Sequence, residues 1–514
     1  VNAAAKGIDG GQDVDTIDNL GNIYLSVDSV ATGVAVSLDI AGTIQGNAEG
    51  SSVSDASVTA VSTTIGIEGG DGNDTIISDG AVISMATDAS ATAVSVGLAV
   101  SGSMEGNVVG EALSDGSATA DALATGIDGG TGQDIIDNWS FIYGDVDASA
   151  KTVAVGLDAA ISIDEGGDVS GGALSDASVT AEAAASGIDG GDDSDEIDNR
   201  GDIEFLANSD VTGVAVSLGI AGSMKGDAKG VSVSDSSATA TSMAIGIEGG
   251  TGDDSIDNEG MITLMNGAGD DKIDASATAV SVDLTVSGSM EGDVTGKALS
   301  DSSALAEAKA VGIDGGEGLD TINNRGEIVG FVDAGAKAVG AGVDISITGD
   351  GNTSGAALSD ASVTANAAAI GIDGGGDKDI IDNRGDGDIG LYSTSEATGV
   401  AVSVTLAGSI KGDAEGTALS DSSTSANASA TGIDGGSDMD VITNRNHVTA
   451  DVGSTVTGVS VSVPITITEE GSVVGSAVSD ASVAASASAK GIDGGDGDDT
   501  IVNTGSITLM EGND

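Results

Sequence analysis

Cysteine is absent from this chain of 514 residues, histidine, proline and tryptophan occur once each, and three tyrosines and three phenylalanines complete the aromatics. A disulfide scaffold, a Cys-based zinc or iron–sulfur site and catalysis built on histidine are thereby excluded. Basic residues are scarce too: 15 Lys and Arg stand against 83 Asp and Glu, a formal charge of −68. Nucleic acid and anionic membranes are poor partners for such a polyanion, and cations are good ones. No basic segment precedes a short apolar one, as a secretion signal requires, and no apolar run is long enough to span a bilayer. The sequence opens on VNAAAKGIDGG, the end of a repeat, and stops inside another at LMEGND, so it is expected to be a stretch of a longer chain.

What is present is small and strictly ordered. Hydrophobic residues make up 39% of the chain but aromatics only 1%, so the bulk for a wide core is missing. The string GI(D/E)GG begins at Gly7, Gly66, Gly126, Gly187, Gly246, Gly312, Gly371, Gly432 and Gly491, at spacings of 59, 60, 61, 59, 66, 59, 61 and 59 residues. Self-similarity at this period marks a repeat architecture, here one continuous body over residues 1–514. Each unit carries about eight negative charges, which need positive counterions if units stack closely. A slower rhythm repeats TGVAVS from Thr32, Thr212 and Thr398, in every third unit, as duplication of three-unit blocks would produce.

Within a unit the period is two. After each SD(A/S/G)S, one side of the chain carries Val58, Ala60, Ser62, Thr64 and Gly66, and in later units Ala118 to Gly126 and Val179 to Gly187, while the intervening positions vary. Such alternation is a strand with one packed and one wet face, and it outweighs the helix propensity of the Ala-rich stretches. An earlier segment alternates with larger residues, Val34, Val36, Leu38, Ile40, Gly42 and Ile44, and again Val280, Val282, Leu284 and Val286. A third strand is expected through Ile17, Asn19, Gly21, Ile23 and Leu25. Large residues on one strand facing Ala on another would interlock as a thin core.

Strands joined by short Gly/Ser/Asp corners in near-identical units predict an all-β fold, a parallel β-solenoid whose coils satisfy one another's edges. One coil of about 60 residues, two of about 30 or three of about 20 per unit are all compatible with the pattern. Asn19, Asn138, Asn199, Asn258, Asn324, Asn383, Asn444 and Asn503 share one position, with Ser78 as the exception. Stacked in consecutive coils they would form an amide ladder; alternatively, Asn simply suits a turn before the following Gly.

The chemistry is concentrated in the glycine turns. GGxGxDxUx, with U a large aliphatic residue, is matched in full five times: by Gly69, Gly70, Gly72 and Asp74; by Gly129, Gly130, Gly132 and Asp134; by Gly249, Gly250, Gly252 and Asp254; by Gly315, Gly316, Gly318 and Asp320; and by Gly494, Gly495, Gly497 and Asp499. Four further turns put Asp13, Asp193, Asp377 and Asp438 where the third glycine belongs and keep the following acid as Asp15, Asp195, Asp379 and Asp440. Glycines let the backbone curve so that carbonyl oxygens converge, and the aspartate adds a hard anionic oxygen, the donor type that calcium prefers. A further acid precedes each turn, among them Glu68, Asp128, Glu248, Asp314 and Asp493. Unit five holds a second near-match, NGAGDDKID, whose Asp271 is expected to join Asp254 in a tandem site.

At these residues the chain resembles the calcium-binding nonapeptide of repeats-in-toxin (RTX) proteins, and the following NxGxI resembles coils of bacterial β-helix adhesins. The resemblance implies Ca2+ as cofactor, bound by the turn aspartates and glycines, and a secreted, cell-surface location. It departs from the RTX pattern in density: there the nonapeptides run in tandem, whereas here one comes per unit. His447, Trp139 and Pro464 form no catalytic group, and the abundant carboxylates come without an aromatic platform or basic clamp. The expected function is therefore not enzymatic. It is that of an extracellular structural protein, a calcium-stabilised segment of a surface fibre, adhesin stalk or matrix filament that self-associates and folds after export. The rival is an adhesin whose solenoid face binds a receptor, glycan or ice.

Overall fold

The computed structural model describes residues 1–80, 82–163, 166–265 and 272–511. Every 60-residue unit forms a single coil of three strands, two long and one short, typified by Val82–Ser103, Val108–Thr131 and Ile135–Asn138. Equivalent strands pair in parallel from coil to coil, giving a parallel β-solenoid with nine strands in the sheet that runs from Asn2–Gln12 to Val473–Asp493. A short sheet of nine strands runs from Thr16–Asn19 to Thr500–Asn503, and a second long sheet starts at Ile23–Thr43. The coil length left open by the sequence is thus one coil per unit. Asp28 pairs with Asp88 on the second long sheet and Asp55 with Asp115 on the first, so the similar segments that open at Asp28 and Asp55, 27 residues apart, are opposite sides of one coil, and the two-coils-per-unit pattern does not hold.

Strands of 21 to 24 residues make each coil about 70 Å wide, while nine coils rise only about 40 Å. The body is a flat slab that lengthens as coils are added. In the longest unit the strand of the second long sheet is split into Ile262–Leu264 and Ile273–Glu291, and the second piece holds the common register with Ile273 opposite Val332.

Where the three sheets meet, successive coils contribute one large aliphatic residue from each, isoleucine at nearly every place: Ile67, Ile76 and Ile83, then Ile127, Ile136 and Ile142, all fully buried, with Val448 beside Ile433 and Ile442 as an exception. Away from that corner the two long sheets face each other through Ala, then Ser, Thr and Gly. The first long sheet turns inward the face expected of it, with Ala60, Ser62 and Thr64 fully buried. Hydroxyls bridge the gap: Ser62 donates to Ser29 at 2.9 Å, Ser114 to Ser95 at 2.9 Å, and Ser217 to the carbonyl of Val233 at 2.6 Å.

The second long sheet reverses the expected arrangement. Val34, Val36, Leu38 and Ile40 face outward, and so do Val280, Val282, Leu284 and Val286; Ala35, Ser37 and Asp39 point into the slab. Close approach of the sheets is the reason. A Cβ on Gly97 would lie 2.6 Å from the carbonyl oxygen of Leu113 on the opposite sheet, and one on Gly156 would lie 2.8 Å from that of Leu174. Only the small parity fits between them, so the thin core is built of Ala, Ser and Gly with the large residues outside it. The alternation through Gly42 and Ile44 also ends sooner than expected, because residues 44–47 form the corner between the long sheets. The expected third strand likewise proves to be the short strand Thr16–Asn19, a corner, and the start of Ile23–Thr43.

Candidate cation-binding turns

Each glycine turn connects the first long sheet to the short sheet, and the turns of successive coils stack. The second glycine takes a positive φ in every turn, for example 104° at Gly70 and 100° at Gly250. At the third position Gly72, Gly132, Gly252, Gly318 and Gly497 have φ between 119° and 145°, where side chains are rarely tolerated. The four substituted turns solve the same geometry differently: Asp13, Asp193, Asp377 and Asp438 sit at φ 65° to 73°, the left-handed region that Asp tolerates better than most residues.

The sixth-position aspartates are brought together in single file. Asp15 N donates to Asp74 Oδ1, Asp74 N to Asp134 Oδ1, and the series continues through Asp195, Asp254, Asp320, Asp379 and Asp440 to Asp499, with distances of 2.6 to 3.0 Å. Both kinds of turn, with and without the third glycine, join the same ladder. Asp74, Asp134 and Asp320 are 1% exposed. One carboxylate oxygen is thus used by the neighbouring coil. The other, Oδ2 of Asp15, Asp74, Asp134, Asp195, Asp254, Asp320, Asp379 and Asp440, is buried with no hydrogen-bond partner among the described residues. Burial without a donor penalises the charged form. It raises Asp134 and Asp254 to about 6, Asp320 to about 7, and Asp195 and Asp379 to about 8, each held down in part by the backbone N–H it accepts.

A second file runs beside the first. The acids of GI(D/E)GG pair in register from Asp9 through Glu68, Asp128, Asp189, Glu248, Asp314, Asp373 and Asp434 to Asp493. Burial, then the charge of Glu248, pushes Asp189 up to about 7. Lys6 pairs with Asp9 and Glu68, and Lys490 with Asp493. The chain's four arginines are engaged elsewhere, on the acids of the short sheet and its corner. Arg200 bonds Asp137 and Asp198, Arg325 bonds Asp257 and Glu259, and Arg384 and Arg445 share Asp382. Arginines thus pair with acids of that corner in several coils, whereas no ion pair to the inner file of the glycine turns is found among the described residues.

The expected glycine oxygens are placed differently from the carboxylates. The carbonyls of Gly130, Gly250 and Gly316 accept backbone hydrogen bonds from Asp192, Glu317 and Gly376 of neighbouring coils, at 2.9, 2.9 and 2.7 Å. Among the described residues no three His, Cys, Asp or Glu side chains gather into a metal-sized group. The turns therefore offer a cation a continuous row of free carboxylate oxygens, one per coil, and no closed cage in any one turn. Asp271 and its tandem partnership with Asp254 lie outside the described residues.

The asparagine position satisfies both expectations at once. Asn138 donates to Asn199 at 2.8 Å, Asn199 to Asn258 at 2.7 Å, and so on to Asn503, while the same Nδ2 of Asn199 also donates to the carbonyl of Gly201 at 2.9 Å.

Two sets of acids escaped the sequence reading. Asp55, Asp115, Asp176, Asp235, Asp301, Asp360, Asp421 and Asp480 stack along the outer face of the first long sheet; their signal was the unvarying Asp of SD(A/S/G)S. Asp158, Asp283 and Asp344 are buried between the long sheets, where burial pushes them to about 7, 8 and 7. No family model, curated protein or solved structure matches the chain. The likeness to RTX nonapeptides rests on the turn residues alone.

Proposed function

We propose that this solenoid is an extracellular structural protein, a segment of a surface fibre, adhesin stalk or matrix filament, stiffened by calcium at its glycine turns. The observation that carries this reading is the file of buried Oδ2 atoms, which lack donors while the arginines serve another corner. Asp74, Asp134, Asp195, Asp254, Asp320, Asp379 and Asp440, with the outer acids beside them, would hold the ion; water and backbone carbonyls would complete the six to eight oxygens that calcium takes. Calcium there supplies the positive charge that the chain lacks. In a calcium-poor cytoplasm the stacked carboxylates oppose coil formation and keep the chain exportable, and outside the cell stacking proceeds from coil to coil. Ice binding has less support, because the outward row of Thr59, Thr119, Thr180 and Thr239 continues as Leu305, Thr364, Ser425 and Ala484.

Thermal melting followed by circular dichroism, in chelator and in about 1 mM calcium, tests the reading. Calcium is expected to raise the midpoint by many degrees. Asp320→Asn, which removes one buried charge, should raise the midpoint in chelator and reduce the gain from calcium. Identical spectra and midpoints with and without chelator would overturn the cation reading and leave the solenoid standing.

A further inference from the structure

The outer face of the second long sheet is apolar over the half of each strand that leads to the corner after Thr43, while the other half carries acids such as Asp28, Asp88 and Asp147, and nothing among the described residues covers the apolar half. Four parallel rows, headed by Val34, Val36, Leu38 and Ile40, run up eight coils; the first is valine in every coil from Val34 to Val459. No charged residue interrupts these rows. Exposed apolar surfaces of this extent on soluble proteins mark contact sites.

A fifth row gives the face a relief. Counting coils from Ile23–Thr43 as the first, this row reads Gly42, Gly102, Ile161, Gly222, Gly288, Ile347, Gly408 and Ile467. The backbone asks nothing of glycine here, since none of these five glycines has a positive φ. Packing asks nothing either. A Cβ at Gly222 would meet no atom within 4 Å, and at Gly102, Gly288 and Gly408 it would make only ordinary contacts of 3.7 to 3.9 Å. The glycines form a groove between the ridge of Ile40 and Val100 and that of Ile44 and Met104, closed by Ile161. Isoleucine knobs thus stand in the third, sixth and eighth coils, with empty notches in the others.

We propose that this face pairs with the same face of a second copy of the chain, about a two-fold axis that runs along the strands at the fifth coil. Such an axis keeps each row opposite itself and places coil three against coil seven, four against six and two against eight. Ile161 then enters the notch of Gly408 in the second copy, Ile347 that of Gly222, and Ile467 that of Gly102, with Gly288 facing itself. Shifting the register by one coil in either direction brings knobs into collision. Seven coils and five rows cover about 1,000 Å² on each copy, against about 800 Å² per partner in a stable interface of ordinary size. Self-complementarity of this kind is what an isologous contact requires. The charges lie outside the four apolar rows, where salt screens them beyond about 8 Å at physiological ionic strength. The pairing depends only on the folded slab and is separate from the cation reading.

Sedimentation equilibrium of the whole chain at micromolar concentration and physiological salt is expected to give twice the chain mass of 48.9 kDa. Leu218→Glu, on the outer face of the fourth coil, should leave the β-signal intact and weaken pairing by about a hundredfold or more, through burial of an unpaired charge. Gly222→Ile should also dissociate the pair by filling a notch, and adding Ile347→Gly in the same chain should restore it. A folded monomer at these concentrations would overturn the proposal, as would a dimer indifferent to Leu218→Glu and Gly222→Ile. Flotation of a monomeric chain with phosphatidylcholine vesicles would likewise overturn it and assign the face to lipid.

Discussion

At the scale of single residues, the stack sorts its glycines by what the neighbouring coil does to them. Gly252 has φ 128°, and a Cβ there would press on the backbone of Asp193 in the coil before it. Gly252→Ala is therefore expected to cost more than the roughly 1–3 kcal/mol of backbone strain alone. Asp193→Gly should be neutral or mildly stabilising, since it removes a left-handed residue with a Cβ. Urea midpoints of the two variants measure the contrast. Volume is matched between coils in the same way. Phe205, the one buried aromatic, lies over Gly144 of the preceding coil, and Leu391 lies over Gly330. Phe205→Ala should lose about 3–5 kcal/mol through the cavity it leaves. Gly144→Ala should destabilise by collision with the ring, and pairing it with Phe205→Leu should recover part of that loss, a coupling that a double-mutant cycle reads directly.

At the scale of the element, the asparagine ladder shows how much one strand end depends on the next. Asn258 accepts from Asn199 at 2.7 Å, donates to Asn324 at 2.8 Å, and donates to the carbonyl of Gly260 at 2.9 Å, all fully buried. Asn258→Ala strands partners on both sides, each at about 1–3 kcal/mol, so a loss of about 3 kcal/mol is expected. Asn258→Ser should keep only the bond from Asn199, because Ser78, which holds this position in its own coil, accepts from Asn19 but passes on to the hydroxyl of Ser140, where the coil after Asn258 has Gly326. Amide exchange should show the opening confined to the short sheet and its corner. Such ladders were legible in the sequence because a position repeated every 60 residues must stack on itself once the coil is one unit long. The period of two was equally legible, and on the first long sheet so was the buried parity. On the second long sheet hydrophobicity pointed to Val34 and Leu38 as core, and the structure buries Ala35 and Ser37 instead. The deciding quantity was the gap between the sheets, set jointly by Gly97, Gly156 and the facing backbone, and no single strand reveals it. For the same reason the turn aspartates were identifiable as a set, but not that each would give one oxygen to the coil before it.

At the scale of the whole molecule, the slab concentrates carboxyl groups whose burial favours protons. Asp134, Asp254 and Asp320 in the turns, Asp195 and Asp379 beside them, and Asp158, Asp283 and Asp344 between the sheets all sit at about 6 to 8, against 3.8 for an unperturbed aspartate. The folded chain therefore holds protons that the unfolded chain has released. Stability from these groups is fully present below about pH 4 and is lost as pH rises through the folded values, from about 6 to about 8. Asp493 runs the other way, held low by Lys490, but it is exposed at the edge of the stack and weighs little. In chelator the melting midpoint is accordingly expected to be higher at pH 5 than at pH 8. Protons and calcium neutralise the same oxygens, so calcium should raise the midpoint strongly at pH 8 and only weakly at pH 5. Melting curves over that range, with and without the ion, separate the two contributions. A midpoint in chelator that climbs with pH would mean that the buried file is not protonated in the folded chain. A gain from calcium equal at both pH values would place the ion on exposed acids, away from the glycine turns.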